Sequence, residues 1–196
     1  MPATSPGARI DGVATDATSD DQPHADQPHF GSQHDGEHPD RVDEWDRLRA
    51  EHLRPPGERP PSSAAGVHHQ ALISSDVERT IGFYQGLLEF PLTDLFQNRD
   101  YEGSTHFFFD IGNGNALAFF DFPGLGLDEY SEVLGGHHHL AISMPEDNWR
   151  RIRDKLADAG VDTWEHQTSL YFTGPDGERI ELISEPLGTM YGKQVL

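Results

Sequence analysis

The sequence predicts an α+β fold built from two copies of one strand–helix–strand unit, set behind a polar N-terminal tail. Three observations lead there. An internal repeat aligns His69-Gln-Ala-Leu with His139-Leu-Ala-Ile at an offset of 70 residues, and residues 113–123 with 176–186 at an offset of 63. Each copy opens on an apolar run of strand length, passes through a helix-period stripe, and closes on further strand-like runs around a Gly-containing turn. The first 40 residues are instead rich in Pro, Gly, Asp, Gln and His, with too few aliphatics to offset chain entropy.

Taken in order, residues 1–40 are expected to be a disordered, acidic, His-rich tail. Asp-Gln-Pro-His occurs at 21–24 and 26–29, with His34 and His38 beyond. On a floppy chain this spacing fixes no coordination geometry, so it reads as solvated low complexity. Residues 41–66 read as a short helix with Val42, Trp45, Leu48 and Leu53 on one side, able to dock on the core or on a subunit partner, then a Pro-rich linker. The folded region spans 67–186, with modules at 67–123 and 137–186.

In the first module, 67–74 is a strand, Ser75 and Glu78 suggest a capping box, and Ile81, Tyr84 and Leu88 stripe the helix. Strands at 107–111 and 116–122 flank an Asn113-Gly114 turn. In the second, 137–143 is a strand and 145–159 a helix with Trp149, Ile152 and Leu156 on one face. Strands at 170–173 and 179–184 flank the turn Gly174-Pro175-Asp176-Gly177. Residues 187–196 are read as a C-terminal tail.

Net charge is −20 and there is no cysteine. So acidic a chain repels nucleic acid and anionic membranes, and is expected to bind neither. No apolar run reaches the ~18 residues of a membrane span, and no signal-like stretch opens the chain, so the cytoplasm is the expected location. Without thiolates, a metal would need His and carboxylate donors. Strand alternation puts His69, Ala71 and Ile73 on one face, and likewise His139, Ala141 and Ser143, with His68 and His138 turned the other way. Glu181 lies between Ile180 and Leu182 and points away from both. Phe107, Phe108, Phe109, Phe119, Phe120 and Phe122 make the first module unusually aromatic, and those facing inward would suit a hydrophobic substrate.

The paired strand starts, the Phe-Tyr-Gln-Gly-Leu-Leu-Glu-Phe helix at 83–90 and the stretch from Leu170 to Leu182 resemble the vicinal oxygen chelate superfamily, the glyoxalase, bleomycin-resistance and extradiol-dioxygenase group. The resemblance implies two βαβββ modules forming a cleft around one metal. Its ligand positions fall on His69, His139 and Glu181. The fourth corresponds to Ala118, which cannot ligate. Two imidazoles and a carboxylate match the facial set of non-haem iron enzymes, so Fe(II) is the favoured ion, with Mn(II), Zn(II) or Ni(II) as alternatives.

Three residues are candidates for catalysis. The order Tyr171, Pro175, Gly177, Glu181 partly follows the extradiol signature, although Gly174 stands where a polar residue is usual and His166 lies closer to the tyrosine than the signature's histidine does. Tyr171 would hydrogen-bond a substrate oxygen, or else is an ordinary half-buried strand tyrosine. His137 lies one pleat from His139 and would support it or carry a proton, unless it is a surface residue at the strand end. His106, which aligns with Ser169, would line the cleft. The resemblance therefore implies a metal-dependent oxidoreductase, a ring-cleaving dioxygenase acting on a catechol-like or other small hydrophobic chelating substrate. The alternatives are a glutathione or thiol transferase, a glyoxalase-like lyase, or a non-catalytic drug-binding protein. Members of the group often form homodimers, some by exchanging modules.

Overall fold

The structure, a computed structural model, describes residues 39–131 and 133–196. The predicted tail at 1–40 falls almost wholly outside them. Helix α1 spans Val42–His52 and buries no residue, with Trp45 46% exposed, so the apolar side expected to dock does not do so within the described chain.

Both modules then follow one plan. In the first, strand β1 (His69–Ser74) leads to helix α2 (Val77–Ile81), which widens into a π-helical segment (Gly82–Leu87), and then to β2 (Leu92–Gln97), β3 (Thr105–Asp110) and β4 (Ala116–Asp121). The sheet order is β1-β4-β3-β2, with β1 parallel to β4 and the rest antiparallel. In the second, β5 (Leu140–Ser143) leads to helix α3 (Glu146–Asp158), then β6 (Thr163–His166), β7 (Ser169–Thr173) and β8 (Arg179–Ile183), in the matching order β5-β8-β7-β6. A short hairpin of β9 (Thr189–Met190) and β10 (Lys193–Gln194) occupies what the sequence presented as a tail.

Register confirms the repeat residue by residue. Ala71 pairs with Ala118 in the first sheet, and Ala141 with Glu181 in the second. His106 opposes Phe120, and Ser169 opposes Ile183. The Asn113-Gly114 turn forms with both residues at positive φ, 54° and 72°, as a tight I′-type hairpin requires. The capping box does not form. Asp76 is the N-cap, its carboxylate accepting from Arg79 N, while Ser75 turns to the other module. Strands β2 and β6, which local pattern did not show, are the outer strands of their sheets; β2 is almost entirely exposed and β6 has one half-buried residue.

One apolar cluster joins the modules: Tyr84, Leu88, Phe107, Phe109, Leu117 and Phe119 from the first, with Trp149, Ile152, Leu156, Leu170, Phe172, Ile180 and Leu182 from the second. These are the core-facing residues of the alternating strands and the helix stripes, so the sheet faces carrying His69 and Glu181 are the opposite ones. Polar contacts clamp the first module's helix at both ends. At its start, Ser75 Oγ and Arg79 Nη2 donate to Asp176 Oδ1 at 2.5 and 2.7 Å. At its end, Glu89 accepts from Arg151 Nη2 at 2.8 Å and Lys155 Nζ at 3.0 Å. Between them Tyr84, fully buried, donates to Glu178 Oε1 at 2.7 Å. Gly174 is fixed by this carboxylate, because a Cβ there would sit 2.2 Å from Glu178 Oε1. The turn geometry thus accounts for a glycine where the extradiol signature has a polar residue.

Two outcomes follow for stability. Tyr84→Phe keeps the ring but removes the donor from a buried carboxylate, and is expected to lower unfolding free energy by about 1–3 kcal/mol in urea titrations. Hydrogen bonds from Arg151 and then Lys155 hold Glu89 down to about 2 from the ordinary 4.5. A carboxylate with a depressed folded value stabilises above its unfolded value and loses that contribution as pH falls through the folded one. The stability gap between the parent and Glu89→Gln should therefore be full above pH ~5 and close between about pH 4.5 and pH 2. Being 39% exposed, the group is worth no more than about 1 kcal/mol, read from urea midpoints at stepped pH.

Candidate metal centre

The second sheet builds most of the site. Alternation along β8 sends Ile180 and Leu182 into the core and leaves Glu181 on the other face, yet its side chain has no solvent exposure. Its neighbours across the sheet are Ala141 on β5 and Tyr171 on β7. Alanine leaves space on one side. On the other, Tyr171 Oη donates to Glu181 Oε1 at 2.7 Å. Burial pushes the Glu181 carboxyl up, but the neighbouring His139, Ser169 and Tyr171 outweigh it and the net shift is downward, so the group is a carboxylate.

The second oxygen is the informative one. Glu181 Oε2 is buried and has no hydrogen-bond partner, although His139 Nε2 lies 2.9 Å away. The ring and the carboxylate approach each other without the alignment of donor and acceptor. Two donors bound side by side to one ion at about 2.1 Å and a right angle lie about 3.0 Å apart. A buried oxygen with an open lone pair, against an imidazole at that separation, therefore fits a divalent cation.

His139 precedes β5, which begins at Leu140 rather than at 137 as the sequence suggested. Freed from strict alternation, His138 does not turn away from it: the Nδ1 atoms of His138 and His139 lie 2.6 Å apart, and those of His68 and His69 2.9 Å. His138 Nε2 in turn accepts from Arg179 Nη1 at 2.9 Å. Arg179 is a buried cation that sequence pattern had not marked.

His69 sits at the start of β1 on the aromatic face of the first sheet, 6.1 Å from the Phe108 ring. Among the described residues no group of three or more His, Cys, Asp or Glu is placed to hold a metal ion. A single chain thus brings together His139 and Glu181 but not His69 with them. His106 shares the His69 face, stacked on Phe120 at 3.8 Å and against Phe108 at 4.3 Å, and burial lowers its pKa. Its Nε2 is buried without a hydrogen-bond partner, as is that of His137. Burial, then His139 and His138, lower the His137 pKa, and its ring packs 6.2 Å from Tyr130. Burial and its hydrogen bonds push the Tyr171 phenol well up, and Trp164 stacks on it at 4.9 Å. Sequence reasoning missed Tyr191, whose Oη lies 3.3 Å from Tyr171 Oη. The only signal was an aromatic residue before Gly192 in a stretch without strand-length periodicity.

The family model of the Glyoxalase/Bleomycin resistance protein/Dioxygenase superfamily matches residues 66–182, both modules. The chain belongs to this superfamily, the vicinal oxygen chelate group. This vicinal oxygen chelate protein is 25% identical over 129 residues to the metallothiol transferase FosB of Lysinibacillus sphaericus (strain C3-41), covering 59% of the chain and 79% of the relative. Its fold matches a glyoxylase/bleomycin resistance protein/dioxygenase domain from Frankia sp. EAN1pec with a TM-score of 0.55 at 20% identity, covering 62% and 98% of the two chains. It matches the fosfomycin resistance protein FosX of Listeria monocytogenes, crystallised with Mn(II) and sulfate, with a TM-score of 0.50 at 20% identity, covering 63% and 95%.

These relatives overturn one expectation. A ring-cleaving dioxygenase, an iron enzyme and oxidoreductase, is not where the similarity leads; it leads to a metallothiol transferase and a Mn(II)-holding resistance protein. The structure supplies a physical reason. The Tyr171 proton is directed at Glu181, so the feature that had suggested ring cleavage is a brace for a buried carboxylate. Among the described residues no helix is long and apolar enough to cross a membrane.

Proposed function

We propose that this chain is a divalent-metal-dependent transferase or hydrolase that adds a thiol or water to a small electrophile, with Mn(II) the first ion to test. The observation that carries the reading is the buried, unpartnered Glu181 Oε2 beside His139 Nε2. His139 and Glu181 would hold the ion from one side and His69 from the other. A divalent ion bound there supplies Lewis acidity to a substrate oxygen.

The chain's own residues would do the rest. Tyr171 fixes the rotamer of Glu181. Ala71 and Ala118 leave room beside His69, and Phe96, Phe108 and Phe120 offer an apolar wall that takes the substrate body and excludes water. His106, whose pKa burial lowers within that wall, would accept a proton from an incoming nucleophile. His137 stands behind His139 as a supporting group.

The reading includes a homodimer. Within one chain the core cluster lies on the sheet faces opposite to His69 and Glu181, and His69 joins no ligand group. The His69 face leaves Ile73 51% and Phe96 44% exposed, an apolar surface that a second copy would cover. We infer that each centre is completed by His69 of one copy and His139 with Glu181 of the other.

Metal-free full-length protein titrated with Mn(II) should bind one ion per chain, and Glu181→Gln should weaken binding by at least about tenfold. The loaded protein should then form adducts or diols with an epoxide panel that includes fosfomycin, read by mass spectrometry with and without low-molecular-weight thiols. Mn(II) affinity indifferent to Glu181→Gln would sink the reading, as would tight retention of the epoxides without turnover, which would mark a sequestering protein. The shared centre has its own check. His69→Ala and Glu181→Gln, each inactive alone, should recover part of the activity when co-expressed, because one of the two mixed centres then has every ligand. No recovery, with mixed dimers verified by mass, would place all three ligands in one chain.

A further inference from the structure

The last ten residues, read from sequence as a tail, form a hairpin over the polar face of the second sheet. Strands β9 and β10 pair through a two-residue turn, Tyr191-Gly192, with φ of 50° and 69°. Two consecutive positive φ values define a I′-type turn, whose first position favours Asn, Asp or Gly because a larger side chain is strained there. Tyrosine is an expensive choice for a turn alone. Its side chain shows what the position does: Oη lies 3.3 Å from Tyr171 Oη and within 3.5 Å of Ser169 Oγ, and its ring meets His166 edge-on at 5.7 Å.

The hairpin is tied down independently of that contact. Gly192 N donates to both oxygens of the buried Glu185 at 3.3 Å, and Thr168 Oγ1 donates to the same carboxylate at 2.8 Å. Val195 N returns to Gly188 O at 2.8 Å. So the segment is anchored by its backbone, and the strained residue is held against the centre.

Hydrogen-bond direction says what it does there. A carboxylate only accepts, so the single Tyr171 proton goes to Glu181 Oε1. The contact between the two phenols then has Tyr191 donating and Tyr171 accepting. We propose that Tyr191 is a positioning residue of the centre: it fixes the Tyr171 phenol, and through it the Glu181 carboxylate, and the C-terminal hairpin exists to deliver it. This rests on the metal-centre reading above only for its effect on metal affinity; the coupling of Tyr191 to Tyr171 stands apart from it.

The test uses full-length protein carrying Tyr171→Phe, Tyr191→Phe, both, and Tyr191→Asn. Two quantities are read: urea midpoints of the metal-free proteins, and Mn(II) dissociation constants. Tyr171→Phe should weaken Mn(II) by about 10- to 100-fold and Tyr191→Phe by about threefold to tenfold, with Tyr191→Phe adding nothing in the Tyr171→Phe background. Tyr191→Asn, which suits the turn, should lose affinity as Tyr191→Phe does while unfolding at no lower urea than Tyr191→Phe. In the metal-free proteins the two Phe changes should be non-additive in stability. Additive stability effects, or an unchanged Mn(II) constant in Tyr191→Phe, would overturn the proposal. Non-additive stability in a protein that binds no Mn(II) would sustain the Tyr191–Tyr171 coupling and overturn the metal reading instead.

Discussion

A carboxylate held with no solvent exposure on one face of a sheet is the constraint on which the rest of the molecule turns. Taking Glu181 out of water costs several kcal/mol unless its oxygens find partners. One oxygen has Tyr171; the other faces His139 without a hydrogen bond. Everything nearby answers to that arrangement. The parallel register of β5 and β8 sets the small Ala141 beside Glu181, the antiparallel register of β7 sets Tyr171 on its other side, and the apolar neighbours Ile180 and Leu182 pin the strand so that the carboxylate cannot rotate into solvent. A buried anion so placed is either a defect or half of a cation site. The open lone pair beside the histidine is what supports the second as a proposal.

Duplication followed by divergence explains why the two modules differ in chemistry while matching in register. The position of Glu181 holds Ala118 in the first module; that of Tyr171 holds Phe108; that of Ser169 holds His106. The first module thus carries an aromatic face where the second carries the polar brace, and His69 is its one proposed metal ligand. The second has kept the anion and its support. The division has a physical logic, since a braced carboxylate and an apolar aromatic face place opposite demands on the same few strand positions, and two sheets can meet both where one cannot.

Much of this was legible in the sequence because it rests on periodicity. The repeat offsets gave the equivalence of Ala118 and Glu181 that the registers bear out, and the stripe of Trp149, Ile152 and Leu156 is buried as the helix period required. What was not legible lacks a period. Strands β2 and β6 lie at sheet edges, largely exposed, so burial imposes little alternation on them. His138 touches His139 because β5 begins at Leu140, three residues later than the sequence reading placed it, which releases both from the pleat. The ring-cleaving reading failed for a related reason. The order of tyrosine, turn glycine and glutamate is set by the β7–β8 hairpin, with Gly174 forced by Glu178, and so it carries information about fold rather than about reaction.

Among the described residues, four other than glycine adopt the left-handed conformation: Glu89, Asn113, Gln167 and Tyr191. Each such residue carries a cost of about 1 kcal/mol, lower for asparagine, so each calls for a local reason. Asn113 has its turn. Gln167 closes the tight connection from β6 to β7, which sets Trp164 against Tyr171. Glu89 ends the widened helix where it meets Arg151 and Lys155, so the strain lies at the joint that fixes one module against the other. Tyr191 lies at the joint between the C-terminal segment and the centre. Three of the four thus stand where separate pieces of chain must be set in register for the candidate site to exist. Strain at those joints fits the proposed role of Glu181, whose carboxylate Tyr171 holds in one rotamer.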